Sequence, residues 1–287
     1  MAPLDSDSLA PADDISQLIP DPFPPTFASA WGDDEYGLWA DLEVISASGD
    51  EAVVQRLRWI EPATFLMGSP ETEKERSADE GPRHAVTISK GFWLFDTPCT
   101  QALWQAVMGD NPSHFKGPDR PVDSVSWDDV QQFLERINAL LPGLELVLPT
   151  EAQWEYACRA GTTTPFSFGE TITPEQVNYD GNYPYAGGEK GLYRRETVPV
   201  ASLSPNPWGL YEMHGNVWEW CRDGKRTYAA DAMTDPVGPM EAGGPRVLRG
   251  GSWGSDARLV RSAYRNASVP GSRSNDYGFR CARVQAP

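Results

Sequence analysis

Cysteine and histidine are scarce in this chain, and both scarcities narrow its chemistry. Among 287 residues there are four cysteines (Cys99, Cys158, Cys221, Cys281) and three histidines (His84, His114, His214), widely separated. No C-x-x-C pair occurs, which argues against a zinc site, and Cys99 and Cys221 read as core residues. G-x-S-x-G, the phosphate-cradling P-loop and G-x-G-x-x-G are all missing, so hydrolase, nucleotide and dinucleotide readings lack support. No apolar run approaches the ~20 residues of a membrane span. The start, Met1 to Asp7, has neither the basic beginning nor the apolar stretch of a signal peptide, so the expectation is a cytoplasmic protein with no membrane partner.

Positive charge is also in short supply. Lysine and arginine number 24 against 41 acidic residues, a net charge of −17. The imbalance is uneven: Arg246 to Arg283 holds eight arginines and two aspartates, a local net of +6 that leaves −23 on the rest. Those arginines read either as framework, pairing with carboxylates of the acidic body, or as a nucleic-acid patch. Strong overall acidity opposes the second.

What is present is a real core and much loop. Hydrophobic residues make up 40% and eleven are tryptophan, while glycine and proline number 26 each, favouring loops over long helices. Residues 1–30, rich in Pro, Asp and Ser, read as an extended or disordered lead-in. Residues 31–56 read as an N-terminal appendage whose tryptophans and Tyr36 pack on the core, and the alternation from Val53 to Ile60 as a strand entering that core. Residues 57–287 form the main domain. Three helices are legible: one capped by Thr100 and running to Gly109, one opened by the S-x-x-D of Ser126–Asp129, and one opened by Thr150–Gln153 and stopped by Gly161. The last two are expected to pack on a small antiparallel sheet. Residues 161–245 show turn signals and no helical period.

Several long motifs occur in order: Phe65-Leu66-Met67-Gly68-Ser69; Leu148-Pro149-Thr150-Glu151-Ala152-Gln153-Trp154-Glu155-Tyr156-Ala157; Gly209-Leu210-Tyr211-Glu212-Met213-His214-Gly215-Asn216-Val217-Trp218-Glu219-Trp220; and a frame of RGGSW (249–253), RSAYRN (261–266) and GFRCAR (278–283). Together they resemble the formylglycine-generating enzyme family, the sulfatase-modifying factors, over roughly residues 57–284. The resemblance implies an α+β, C-type-lectin-like fold of the formylglycine-generating-enzyme type, loop-rich, with small antiparallel sheets and a few helices.

The family's oxidases carry two cysteines shortly after RGGS that bind Cu(I), a soft ion that selects thiolates. Trp253 to Tyr264 has none, so the resemblance implies neither copper nor formylglycine-generating activity here. Cys158 and Cys281 match positions disulfide-bonded in secreted relatives, and in a reducing compartment would be close, buried thiols. Family calcium sites imply a Ca²⁺ set of the Glu212 and Glu219 side chains with the Gly215 and Val217 carbonyls, oxygen donors suited to that ion. The competing reading has these carboxylates pairing with framework arginines. A second family site has Asn178 but Lys190 where a carboxylate is expected. A three-histidine iron site, as in related sulfoxide synthases, would need a helical domain for which there is no room, and His214 reads as a packed framework residue.

The open slots of the frame are Gly254, Ser255, Asp256, Leu259, Tyr264, Asn266, Ser268, Ser272, Ser274, Asn275 and Asp276. Some members of the family resemble the variable proteins of diversity-generating retroelements, in which adenines of asparagine codons are rewritten. Every residue in these slots is reachable from such a codon, and Lys, Glu, Gln and Met are absent from Arg246 to Arg280. An ordinary Ser/Asn/Gly-rich surface loop has a similar composition. The resemblance thus implies a non-catalytic protein whose segment at about 246–283 displays variable side chains to a macromolecular, protein-like ligand rather than nucleic acid. Catalysis by another cofactor and a non-variable accessory domain remain the alternatives.

Overall fold

A five-stranded antiparallel sheet forms one wall of the molecule in the computed structural model, which describes residues 18–45 and 52–284. Its strands are β1 (Ala30–Asp34), β2 (Gly37–Ile45), β3 (Ala52–Ile60), β6 (Phe92–Phe95) and β12 (Ala282–Val284), in that spatial order. A three-stranded sheet joins β4 (Ala63–Met67), β5 (His84–Ile88) and β8 (Met233–Thr234). A four-stranded one runs β10 (Asn266–Ser268), β9 (Arg246–Arg249), β7 (Trp218–Trp220), β11 (Tyr277–Gly278).

The small sheets are mixed rather than purely antiparallel. β11 lies parallel to β7, and β8 parallel to β5. Both are two-residue strands delivered by distant loops, so no hairpin imposes an antiparallel pairing. With three helices, the class is α+β.

The helices begin where their caps predict. The Thr100, Ser126 and Thr150 side chains accept N–H bonds from Leu103, Asp129 and Gln153 at the heads of α1 (Gln101–Met108), α2 (Trp127–Leu140) and α3 (Glu151–Arg159). α3 ends one residue earlier than expected: Ala160 takes the left-handed cap at φ 45°, and Gly161 follows at 84°. The expected packing of α2 and α3 on one sheet also needs correction. α2 packs on α1, with Phe133 stacked on Trp104 at 5.5 Å, while α3 lies against β4, β5 and β9.

Two main cores result. Leu42, Leu57, Trp93, Phe95, Phe133 and Phe279 belong to the one beneath the large sheet; Met67, Val86, Trp154, Ala157 and Val247 belong to the one around α3. β1 and β2 extend the large sheet, with Trp39 opposite Arg58 and Leu42 opposite Gln55. The appendage is therefore continuous with the core sheet. Trp31 stays half exposed beside Phe23 rather than packing inward. Residues 1–17 of the expected lead-in lie outside the described residues. From Leu18 the chain is tethered to the core at separate points: the Leu18 carbonyl accepts from the Trp59 indole at 2.8 Å, and the Phe27 ring meets Trp93.

Asp129 links the fold to the C-terminal segment. It accepts from the Ser126 backbone and hydroxyl at the head of α2 and also receives Arg273 at 2.6 Å through both oxygens. Ser126→Ala is expected to lower stability by about 1 kcal/mol, seen in urea as a lower midpoint with an unchanged m-value.

Candidate functional site

The segment from Arg246 to Val284 supplies β9, β10, β11 and β12 and the irregular turns between them, so little ladder hydrogen bonding holds it. Buried arginines do that work instead. Arg249 donates to Glu155 at 2.5 Å and to the carbonyls of Ser262, Ala263 and Tyr264, clamping the chain as it returns from a turn of 3-10 helix at Ala257–Val260. Arg261 forks onto both Glu80 oxygens at 2.8 and 2.6 Å, reaches Glu73 and donates to the Glu75 carbonyl. Arg265 pairs with Glu151 through two bonds of 2.6 and 2.7 Å, donates to the Asp79 and Arg226 carbonyls and covers the Tyr228 ring. Arg280 pairs likewise with Glu219 and donates to the carbonyls of Phe95, Asp96 and Tyr211.

These pairs are almost wholly dry. Burial alone would raise the Glu155 carboxyl, yet the neighbouring Arg159 and Arg249 guanidiniums hold it below its ordinary value. Thus four of the eight segment arginines neutralise buried carboxylates from elsewhere in the chain, and half of the segment's arginine charge faces inward. Arg246 instead donates to the Met240, Glu241 and Gly244 carbonyls and covers Trp127, while Arg258 and Arg273 reach the surface.

Ten of the eleven slots lie at or near the surface. Gly254 is exposed, and Asp256, Leu259, Tyr264, Asn266, Ser268, Ser272, Ser274, Asn275 and Asp276 are partly exposed. Ser255 is the correction: it is 5% exposed, its hydroxyl accepts from the Ser252 backbone, and its carbonyl accepts from Asp180. A side chain so enclosed holds the turn rather than facing a ligand.

The structure gathers six of the slots into two lobes, joined through Trp218, whose N–H donates to the Asp276 carbonyl. Gly254, Asn275 and Asp276 surround Trp253, whose indole donates to the Asn275 carbonyl, while Asp276 accepts from Ser252. Tyr264, Asn266 and Ser268 border β9 and β10, with the Tyr264 ring 5.9 Å from Trp218. Sequence reasoning missed their neighbours Phe115, Tyr183, Leu192 and Tyr193, which lie in aperiodic loops and carry no motif. Three clefts of about 450, 600 and 600 Å³ lie elsewhere, on the Pro70–Lys74 and Thr163–Thr171 loops, around Arg76 and Arg83, and beside Gln55 and Asp96. No slot lines any of the three.

Of the two carboxylates expected at a calcium site, Glu219 is engaged by protein donors and Glu212 is half free. Both Glu219 oxygens are taken, one by Arg280 alone and the other by Arg280 and the Trp154 indole at 2.7 Å. Glu212 is buried, accepts from the Ala201 backbone through one oxygen, and leaves the other without a partner. Burial pushes its carboxyl up to about 8. Gly215 and Val217 sit between them in the loop leading to β7. Among the described residues, no three His, Cys, Asp or Glu side chains form a group able to hold a metal.

All four cysteines are free and buried. Cys281 lies in the first core next to Cys99, whereas Cys158 lies in the second, 3.7 Å from both the Ser262 hydroxyl and the His214 ring. The expected nearness of Cys158 to Cys281 gives way to those two separate surroundings. His214 donates to the Val260 carbonyl at 2.6 Å and accepts from the Ser167 backbone; burial depresses it to about 4, leaving it neutral.

Fold and site together define an α+β scaffold whose arginine-clamped C-terminal frame carries an exposed, loop-built surface. The chain belongs to the FGE-sulfatase family: the Sulfatase-modifying factor enzyme 1-like domain matches residues 46–285. It is 38% identical over 253 residues to a formylglycine-generating enzyme of Streptomyces coelicolor, covering 81% of this chain and 76% of that protein. It spans about half the length of the bovine and murine relatives of the same name. Treponema denticola variable protein 1 has a similar structure, with a TM-score of 0.68 and 27% identity over 85% of this chain and 99% of that one. PvdO from Pseudomonas aeruginosa gives 0.69 and 29%, covering 80% and 94%.

Arg265→Ala leaves the buried Glu151 carboxylate with only the longer Arg249 contact at 3.7 Å and is expected to cost about 3 kcal/mol in chemical denaturation. Calcium in millimolar excess and a chelator are expected to give the same melting temperature; a rise with calcium would show that Glu219 can leave Arg280 for the ion.

Proposed function

We propose that this chain is a non-catalytic ligand-binding protein, a C-type-lectin-like scaffold whose C-terminal slots are diversified by a retroelement. The observation that carries the reading is the division of labour within one segment. Residues of the repeated frame (Arg249, Arg261, Arg265, Phe279, Arg280) are buried, whereas ten of the eleven interspersed slots are not. Substitution at surface positions ordinarily changes stability by less than about 0.5 kcal/mol, so the scaffold tolerates many versions of the slots other than Leu259 and Tyr264, which pack against the first core, and Asp276, which holds Ser252.

The similarity to Treponema denticola variable protein 1 supports the same reading. The chemistry points away from the oxidases of the family. A Cu(I) site needs thiolates, and all four thiols lie buried outside the segment's slots. Burial pushes Cys158 up to about 12 and the other three upward as well, which disfavours the thiolate form. A broad, shallow array suits a macromolecular, protein-like partner better than a small molecule, which favours an enclosed pocket. We place the protein in the cytoplasm, as its reduced thiols would allow.

Sequencing the DNA around the coding region tests this. The expected result is a near-copy of the codons for residues 246–283 that differs only at adenines, beside a reverse-transcriptase gene. A locus with neither would sink the diversified reading and leave the slots as an ordinary loop.

A further inference from the structure

We propose that Tyr193, Trp253 and Arg195, with Phe115 beneath them, form a constant anchor for a folded protein partner next to the variable slots. The proposal rests on the slot surface being a binding surface and adds a fixed component to it. The Arg195 guanidinium lies 5.5 Å from the Tyr193 ring centroid. Tyr193 stacks on Trp253 at 6.3 Å with 16° between planes, and the Phe115 edge meets Trp253 at 5.3 Å. Three separate stretches of chain thus converge in one column, and none of its members is a slot.

The column is tied to both sides of the first lobe. Trp253 precedes Gly254 and donates to the Asn275 carbonyl, and the space in front of the Gly254 Cα is bounded by the Tyr193 hydroxyl. The loop that delivers Tyr193 is fastened to the slot segment: the Asp180 N–H donates to Ser255 and the Ala257 N–H to Tyr183. That loop exposes Tyr183 at 58% and Leu192 at 55%, a large apolar commitment in a chain of strong net charge.

Chemistry selects the class of partner. Tyr, Trp and Arg in a pre-stacked array are the residues that dominate protein–protein hot spots, because they bury much area at little rotamer cost. The charges that act on Tyr193 are of both signs, Asp180 and Arg195, and Glu196 follows Arg195 in an ion pair with Arg120, a mixture that a phosphate backbone would not favour. A constant anchor would supply part of the affinity for any ligand and leave the slots to select among ligands.

The test displays the full chain on yeast with the ten surface slots randomised and Ser255 kept, sorted against serum albumin and lysozyme, an acidic and a basic folded protein. In clones with unrelated slots, Tyr193→Ala is expected to weaken binding by about tenfold or more, and Tyr193→Phe by less than about twofold. Display level and melting temperature of Tyr193→Ala separate lost binding from lost folding; if it unfolds, the exposed Leu192→Asp and Arg195→Ala substitutions probe the same surface. Binders indifferent to these changes would overturn the anchor while leaving the slot reading intact. A library that yields no binders to either target would overturn both.

Discussion

Burial of arginine against carboxylate is the constraint on which this structure depends. Moving either charge alone out of water costs several kcal/mol, so each must find its partner and satisfy its remaining donors. The guanidinium is suited to this because its planar fork grips a carboxylate while its other N–H groups reach carbonyls. Arg249, Arg261, Arg265 and Arg280 all do both. Arg249 and Arg261 in this way supply partners for segment carbonyls at Arg258, Ser262, Ala263 and Tyr264, while Arg265 and Arg280 tie the segment to carbonyls of the body.

The same pairs explain an acidic body with a basic tail segment. Glu80, Glu151, Glu155 and Glu219 come from a 3-10 turn, both ends of α3's acidic face and β7, and each meets an arginine from far along the chain. The pairing sets the register of the C-terminal segment on the core, because a shift by one residue would leave buried charges alone. A loop so held can present side chains without ordering them at the moment of binding, which removes one cost of association.

Within the family, this arrangement separates fold from chemistry. Most frame residues lie at the buried pairs and at core positions such as Trp154 and Phe279, so they report chiefly how the chain folds; Trp253 is the partly exposed exception. Glu219 shows what a motif position does for the fold itself. Its position matched a calcium ligand by resemblance, yet in this chain its oxygens hold Arg280 and Trp154.

Local structure was legible because its causes are local. Thr100, Ser126 and Thr150 announce helix starts through side chains that reach only three residues onward, and the apolar spacing of Phe133, Leu134 and Ile137 marks a buried face. The sequence by itself determined the family, the three helix starts, the inward role of the arginines as one of two readings, and the missing thiolate pair. Tertiary structure alone decided which carboxylate each arginine takes, that Ser255 is buried while its neighbours face water, and that Phe115, Tyr193 and Trp253 meet in one column. Those facts depend on contacts between segments tens to hundreds of residues apart, and no periodicity or spacing along the chain encodes which distant loop will fill a given gap.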